Sequence, residues 1–281
     1  MAVTLALLAA LAYGAADFYG GLATRLLPPG AVVLRSNVIG LPGMVVCAAL
    51  VHGRWTSHDA LLGAVAGVTA TTGLLLLYRA LARGTMSLVA PITAVLAAVV
   101  PMAVGLATGE RPAMTAVAGL PVALVAMVLL VSRPQSDAGG GMPVTELLAA
   151  LGAGVAFGFF FVAIDATSHG AGLWPVVTSN VTSISLLMLT AAKTGAVRAH
   201  ATGGETTAWI VAACGVFGAA GHVFFLLATR QGLLTLVAVI ASLYPASTLL
   251  LARIVLHERI AGRQRLGAVL AGVAVILISV G

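Results

Sequence analysis

Apolar residues fill this chain in ten runs, at 3–22, 31–51, 60–80, 86–108, 113–132, 146–164, 173–192, 207–228, 233–256 and 264–280. A helix needs about 20 apolar residues to cross the hydrocarbon core of a bilayer, and each run is close to that length. The breaks between them carry turn chemistry: LLPPG at 26–30, HGRWTSHD at 52–59, RPQSDAGGGMP at 133–143 and KTGAVRAHATGGET at 193–206. Such clusters of Gly, Pro, Ser, Asn and Asp end helices. The pattern predicts an all-α polytopic membrane protein of ten transmembrane helices. The 133–143 segment is the longest polar stretch near the middle, and it divides the chain into 1–132 and 144–281 with five spans each.

Those two parts repeat one another. Residues 84–111 read GTMSLVAPITAVLAAVVPMAVGLATGER and residues 232–259 read GLLTLVAVIASLYPASTLLLARIVLHER, 148 positions later throughout. The register extends back to Gly73 and Gly221 and forward to Gly119 and Gly267. Apolar matches are cheap in a chain of this composition, but matched glycines and a matched acid–arginine pair, Glu110-Arg111 with Glu258-Arg259, are not. This is an internal duplication. Earlier positions correspond with small shifts: LLAAL at 7–11 recurs at 147–151, and Ser36-Asn37-Val38 recurs as Ser179-Asn180-Val181. An odd number of spans per copy sends the second copy into the membrane from the opposite side. The expected architecture is therefore two inverted-topology five-helix repeats, the arrangement by which secondary transporters place a site near the midplane.

Composition strengthens the membrane reading. Only 8% of residues are charged and 60% are hydrophobic, against about 25% charged in a soluble domain. The net charge of +6 comes from 14 scattered Lys and Arg rather than from a basic patch, so no nucleic-acid partner is expected. Cys47 and Cys214 both lie inside apolar runs, which argues against a disulfide framework. The opening MAVTLALLAALAYG lacks the basic start of a cleaved leader and reads as a membrane helix. Nothing in the sequence supplies a Walker A loop, a G-x-S-x-G nucleophile elbow, an H-E-x-x-H helix or a Cys/His metal spacing. Neither an enzyme nor a metal or cofactor is expected.

The doubled Gly-x-x-[ST]-Leu-Val-Ala, apolar run and Glu-Arg resembles the EamA family of the drug/metabolite transporter superfamily. YGAADFYGGLATR at 13–25 is similar to the start of the first helix in a bacterial branch of that family. SLYPASTLLLARIVLHERI at 242–260 and QRLGAVLAGVAVIL at 264–277 resemble that branch's last two helices. The resemblance implies a carrier in a bacterial cytoplasmic (inner) membrane, often an exporter of metabolites, amino acids or drugs, with its cavity between the repeats. Pro245 departs from the duplication, since Ala97 holds the matching position, so the copies are not expected to kink alike.

An ionisable residue at bilayer depth costs about 2.5–3.5 kcal/mol on insertion scales and is a functional candidate by default. Asp17, near the end of span 1, and Arg35, early in span 2, are expected at similar depth. They form either a structural ion pair or a substrate- or proton-coupled carboxylate with an exchangeable partner. His222 could pass a proton or hydrogen-bond across helices. Asn37 and Asn180, at matched positions, could face a cavity as a pair or hold helices together. Ser242, Tyr244 and Thr248 surround Pro245, where a missing backbone donor frees a carbonyl; substrate contact is expected there. Glu110, Arg111, Glu258 and Arg259 are expected to cap and anchor the turns at the ends of spans 4 and 9.

The partners expected are thus lipid, a small solute and protons. The rival expectation is a non-transporting scaffold or sensor subunit of the same fold. A water-filled hollow reached by Asp17 or His222 separates the two readings. For orientation, the resemblance implies cytoplasmic termini, whereas eight Lys/Arg in the odd-numbered loops against three in the even-numbered ones favours the reverse.

Overall fold

The computed structural model describes residues 1–51, 53–83, 86–131, 143–194, 205–257 and 261–280. Every apolar run falls on a helix: α1 (Ala2–Ala23), α2 (Pro29–Leu50), α3 (Ser57–Arg83), α4 (Met86–Ala107), α5 (Met114–Val131), α6 (Val144–Asp165), α7 (Trp174–Thr194) and α8 (Glu205–Thr229). The ninth run is divided into α9 (Leu234–Ala241) and α10 (Tyr244–Val255), and α11 (Gly262–Val280) follows. There are no strands among the described residues. Residues 133–142 of the linker, together with Glu258 and Arg259, lie outside them.

Among the described residues, seven helices are long and apolar enough to cross a membrane: α1, α2, α3, α6, α8, α11 and the α9–α10 pair taken as one span. The other three runs fall short for different reasons. α5 and the described apolar part of α4, Met114–Leu130 and Ile92–Ala107, are shorter. The 21 residues of α7 carry Thr178, Ser179, Asn180, Thr182, Ser183 and Ser185, which lower its apolarity.

The division of the ninth run has a local cause. Pro245 has no N–H to return to Ala241; Pro42 in α2 and Pro121 in α5 lack it too without dividing their helices, so the break also depends on the turn before it. The chain makes a tight turn at Ser242 and Leu243, whose N–H groups bond Ala238 and Ile240, and α10 restarts with proline in its first turn. The corresponding stretch of α4, with Ala97, is unbroken. The difference expected from the sequence is therefore present.

Small residues set which helices touch. Gly73 of α3 lies under the ring of Phe157 of α6, where an added Cβ would come within 2.8 Å, and Gly221 of α8 lies under Tyr13 of α1 at 2.6 Å. Gly67 of α3 meets the carbonyl of Ser179 of α7, just as Gly215 of α8 meets that of Ser36 of α2. Gly119 of α5 faces Ala274 and Ile278 of α11, while Gly267 of α11 faces Ala126 and Leu130 of α5. Each contact therefore occurs twice, with the roles of the two halves exchanged. In lipid, helices associate by this close approach of backbones at small residues. The register also gives direction. Tyr13 and Ala16 meet Gly221 and Gly218 in descending order, so α1 and α8 are antiparallel, as are α3 and α6, where Gly73 and Leu76 meet Phe157 and Gly152. The core runs through the small and aromatic faces of these pairs, with Phe225, Leu226 and Ile240 fully enclosed.

Candidate functional site

Helices from both halves surround a cavity of about 160 Å³. One wall is aromatic. Phe157, Phe160 and Phe161 come from a single α6 segment, and Tyr13 from α1 and Tyr244 from the start of α10 join them in the lining. The rings interlock, with Phe161 4.3 Å from Phe225 and 6.2 Å from Tyr13 between centroids. Asp17 stands in the lining one helical turn after Tyr13. Its side chain is exposed, in keeping with a carboxylate that faces a hollow instead of packed atoms.

The second wall is polar and comes from the matched Ser-Asn pairs. Ser36 and Asn37 on α2 line the cavity, and so do Ser179 and Asn180 on α7. The two asparagines differ in what they bond. Asn37 Nδ2 donates to Ser183 Oγ at 2.8 Å, and Ser183 lies 2.7 Å from Thr71 Oγ1, which bonds the Gly67 carbonyl at 2.8 Å. A hydroxyl has one proton to give, so the chain runs from Asn37 through Ser183 and Thr71 to Gly67. Asn180, by contrast, is 6% exposed, and its Oδ1 has no partner. The positions that match Ser183 and Thr71 in the other copy are Gly40 and Ala219, and neither has a hydroxyl. Tyr13 Oη is also buried without a partner.

His222 lines the same space, edge-on to Tyr13 and Phe160 with centroids at 5.6 and 5.0 Å. Its Nδ1 lies 2.8 Å from the Gly218 carbonyl of its own helix, not across helices as one expectation had it. A carbonyl only accepts, so Nδ1 carries the proton and Nε2 of the neutral ring is an acceptor.

The remaining candidates lie elsewhere. Arg35 is half-buried on α2 and is not among the cavity-lining residues; α1 packs chiefly against α8 and α10, and hardly against α2. Thr248 bonds the Gly14 carbonyl at 3.0 Å, and Ser247 bonds that of Ala10 at 2.9 Å, so this face of α10 holds α1. Ser242 is fully buried in the α9–α10 turn with its hydroxyl unpartnered. Arg111 is exposed.

Glu110 does more than close its own turn. Gly109, at φ +102°, ends α4 in the left-handed region open to glycine. Bonds from Glu110 N to Gly105 O and from Gly109 N to Leu106 O complete a Schellman motif. The reversal sends the Glu110 carboxylate to the start of α9, where its oxygens accept the N–H groups of Leu234 at 2.6 Å and Thr235 at 2.8 Å. A carboxylate on the first free N–H groups of a helix satisfies them and complements the dipole.

Further ties cross this end of the bundle. Asp59, fully buried at the start of α3, accepts from Ser168 N at 2.7 Å and Ser168 Oγ at 2.8 Å. Arg54 N bonds Gly170 O at 2.7 Å. Arg230, just after α8, bonds the carbonyls of Asp165 and Thr167 and the Thr167 hydroxyl. Burial lowers the Arg230 pKa, and the nearby carboxylates of Asp165 and Asp59 oppose that shift. Sequence reasoning missed this network because its members are far apart in the chain. It also missed the aromatic wall, although FGFFF at 157–161 is the densest aromatic cluster in the sequence. Among the described residues no group of three His, Cys, Asp or Glu could hold a metal ion.

Residues 144–280 match the profile of the EamA-like transporter family. No curated protein matches the chain. A protein solved by crystallography superposes over 99% of this chain and 96% of its own, with a TM-score of 0.79 and 17% identical residues, a likeness of fold alone.

Proposed function

We propose, on the premise that its second half, residues 144–280, belongs to the EamA-like transporter family of the drug/metabolite transporter superfamily, that this chain is a secondary-active carrier of small organic solutes. In this reading it exports them from a bacterial cytoplasm by alternating access. Ten spans cross the bilayer, and residues 1–132 and 144–281 are inverted copies. The doubled contacts support that arrangement. A two-fold axis in the membrane plane would exchange Gly67–Ser179 with Gly215–Ser36 and Gly119–Ile278 with Gly267–Leu130.

The observation that carries the proposal is the hollow itself. It lies between the copies, takes walls from α1, α2, α6, α7 and α8, and holds Asp17 and His222. A scaffold has no use for a carboxylate in a cavity at bilayer depth, where it costs several kcal/mol. In a carrier, Asp17, Asn37, Asn180, His222 and Tyr244 contact solute, and protons are the coupling ion. The ties of Glu110, Asp59 and Arg230 hold one end shut and must part for solute to leave there. Counterflow tests this. Proteoliposomes loaded with pooled metabolites should take up a labelled member of the pool, and Asp17→Asn should abolish the uptake while the folded protein remains. Absence of exchange for every solute class would remove the carrier reading.

A further inference from the structure

We infer that the hollow is built for a small organic cation, an ammonium group on a body the size of one aromatic ring, with its charge at Asp17 and an N–H directed to Asn180 Oδ1. The inference rests on the carrier reading and names the solute that reading leaves open.

The cavity's size limits its occupant. At about 160 Å³ it is close to the roughly 150 Å³ apolar cavity that holds a benzene molecule, so one ring or a short branched chain fills it. Its charge selects the sign. Asp17 is an acid in the lining, and no Lys or Arg is among the described lining residues. An anion would face a carboxylate in a medium where little screens the repulsion. A cation gains that attraction and, in addition, an aromatic lining that includes Tyr13, Phe160 and Tyr244, whose rings attract cations at their faces.

Hydrogen bonding points the same way. Buried polar atoms are almost always paired, and an exception inside a cavity marks where a ligand atom belongs. Asn180 Oδ1 is such an exception, and it can only accept. Its twin Asn37 is engaged with Ser183, whereas the matching positions Gly40 and Ala219 carry no hydroxyl and the Asn180 oxygen is left open. His222 Nε2 is a further acceptor, since Nδ1 is occupied by Gly218. A donor-rich, positively charged group suits acceptors of this kind; a carboxylate or phosphate does not.

The test compares three probes of matched size on the purified full chain in detergent: phenethylamine, 2-phenylethanol and 3-phenylpropionate. Calorimetry and ligand-induced melting shifts are read on wild type, Asp17→Asn, Asp17→Glu and Asn180→Ala. Phenethylamine should bind wild type and Asp17→Glu, lose about tenfold or more in Asp17→Asn, and weaken several-fold in Asn180→Ala. 3-Phenylpropionate should not bind. Asp17→Glu guards against a folding defect, because it keeps the charge at the same place. The inference is overturned if the alcohol or the acid binds as well as the amine, if the amine fails to bind wild type, or if Asp17→Asn leaves its affinity unchanged. Counterflow of a neutral or anionic solute would retain the carrier and discard the cation. Amine binding without flux of any solute would do the reverse.

Discussion

The carboxylate of Glu110 accepts the backbone N–H of Leu234 at 2.6 Å, so a residue that ends a helix in the first half starts a helix in the second. The contact is a physical joint between the two halves of the chain. Glu110→Ala leaves two buried N–H groups open and should cost about 1–2 kcal/mol. Glu110→Gln, which keeps an acceptor oxygen, should recover part of it. Melting of the detergent-purified variants measures both, and an Ala variant that melts with wild type would show the cap to be idle.

Gly67 and Gly215 should each resist substitution, where a glycine facing open space does not. A methyl at either position meets a carbonyl of the facing helix, Ser179 or Ser36, and overpacking of this kind costs about 1–3 kcal/mol. Gly43→Ala is the control, since nothing lies within 4 Å of its added Cβ and helix propensity favours alanine by up to about 1 kcal/mol. Equal melting temperatures for all three would contradict the packing account.

Asn37 and Asn180 should separate stability from solute handling. Asn37→Ala breaks the chain to Ser183 and Thr71 and should lower the melting point, at about 1–2 kcal/mol for a buried hydrogen bond. Asn180→Ala removes an unpaired acceptor, so its melting point should hold or rise while counterflow falls. The opposite pattern would reverse the two roles.

Arg230→Ala should loosen the end of the bundle where α6 and α8 finish. It removes three hydrogen bonds to Asp165 and Thr167 and leaves carbonyls with fewer donors, for a loss of about 1–3 kcal/mol. Arg230→Lys cannot reproduce a forked contact to two groups and should recover little. Full recovery by lysine in a melting experiment would mean that charge alone suffices there.

Much of the fold was legible because lipid imposes a severe rule: a backbone in hydrocarbon must pair with itself, so each apolar run of sufficient length becomes a helix. Pro245 was legible as a weak point, since proline removes one bond of the ladder, although Pro42 and Pro121 sit inside unbroken helices. The candidate site was only partly legible. Asp17, Asn37, Asn180, His222 and Tyr244 do line one cavity, found as polar residues out of place in apolar runs. The link of Asp17 to Arg35 rested on shared depth alone, and of the two only Asp17 lines the cavity. Likewise, nothing near Glu110 in the sequence points to Leu234, 124 residues later. Phe157, Phe160 and Phe161 were invisible because aromatics in an apolar helix look the same whether they face lipid, core or cavity.

Cys214 offers the most direct test of a hollow that opens to both sides. It lines the cavity and is half-buried, and Cys47→Ser leaves it as the single thiol of the chain. In proteoliposomes of defined orientation, a membrane-impermeant maleimide should label Cys214 when applied to either face, with the two rates shifting in opposite directions as solute is added. Labelling from neither face, or from one face only under every solute and gradient, would contradict alternating access.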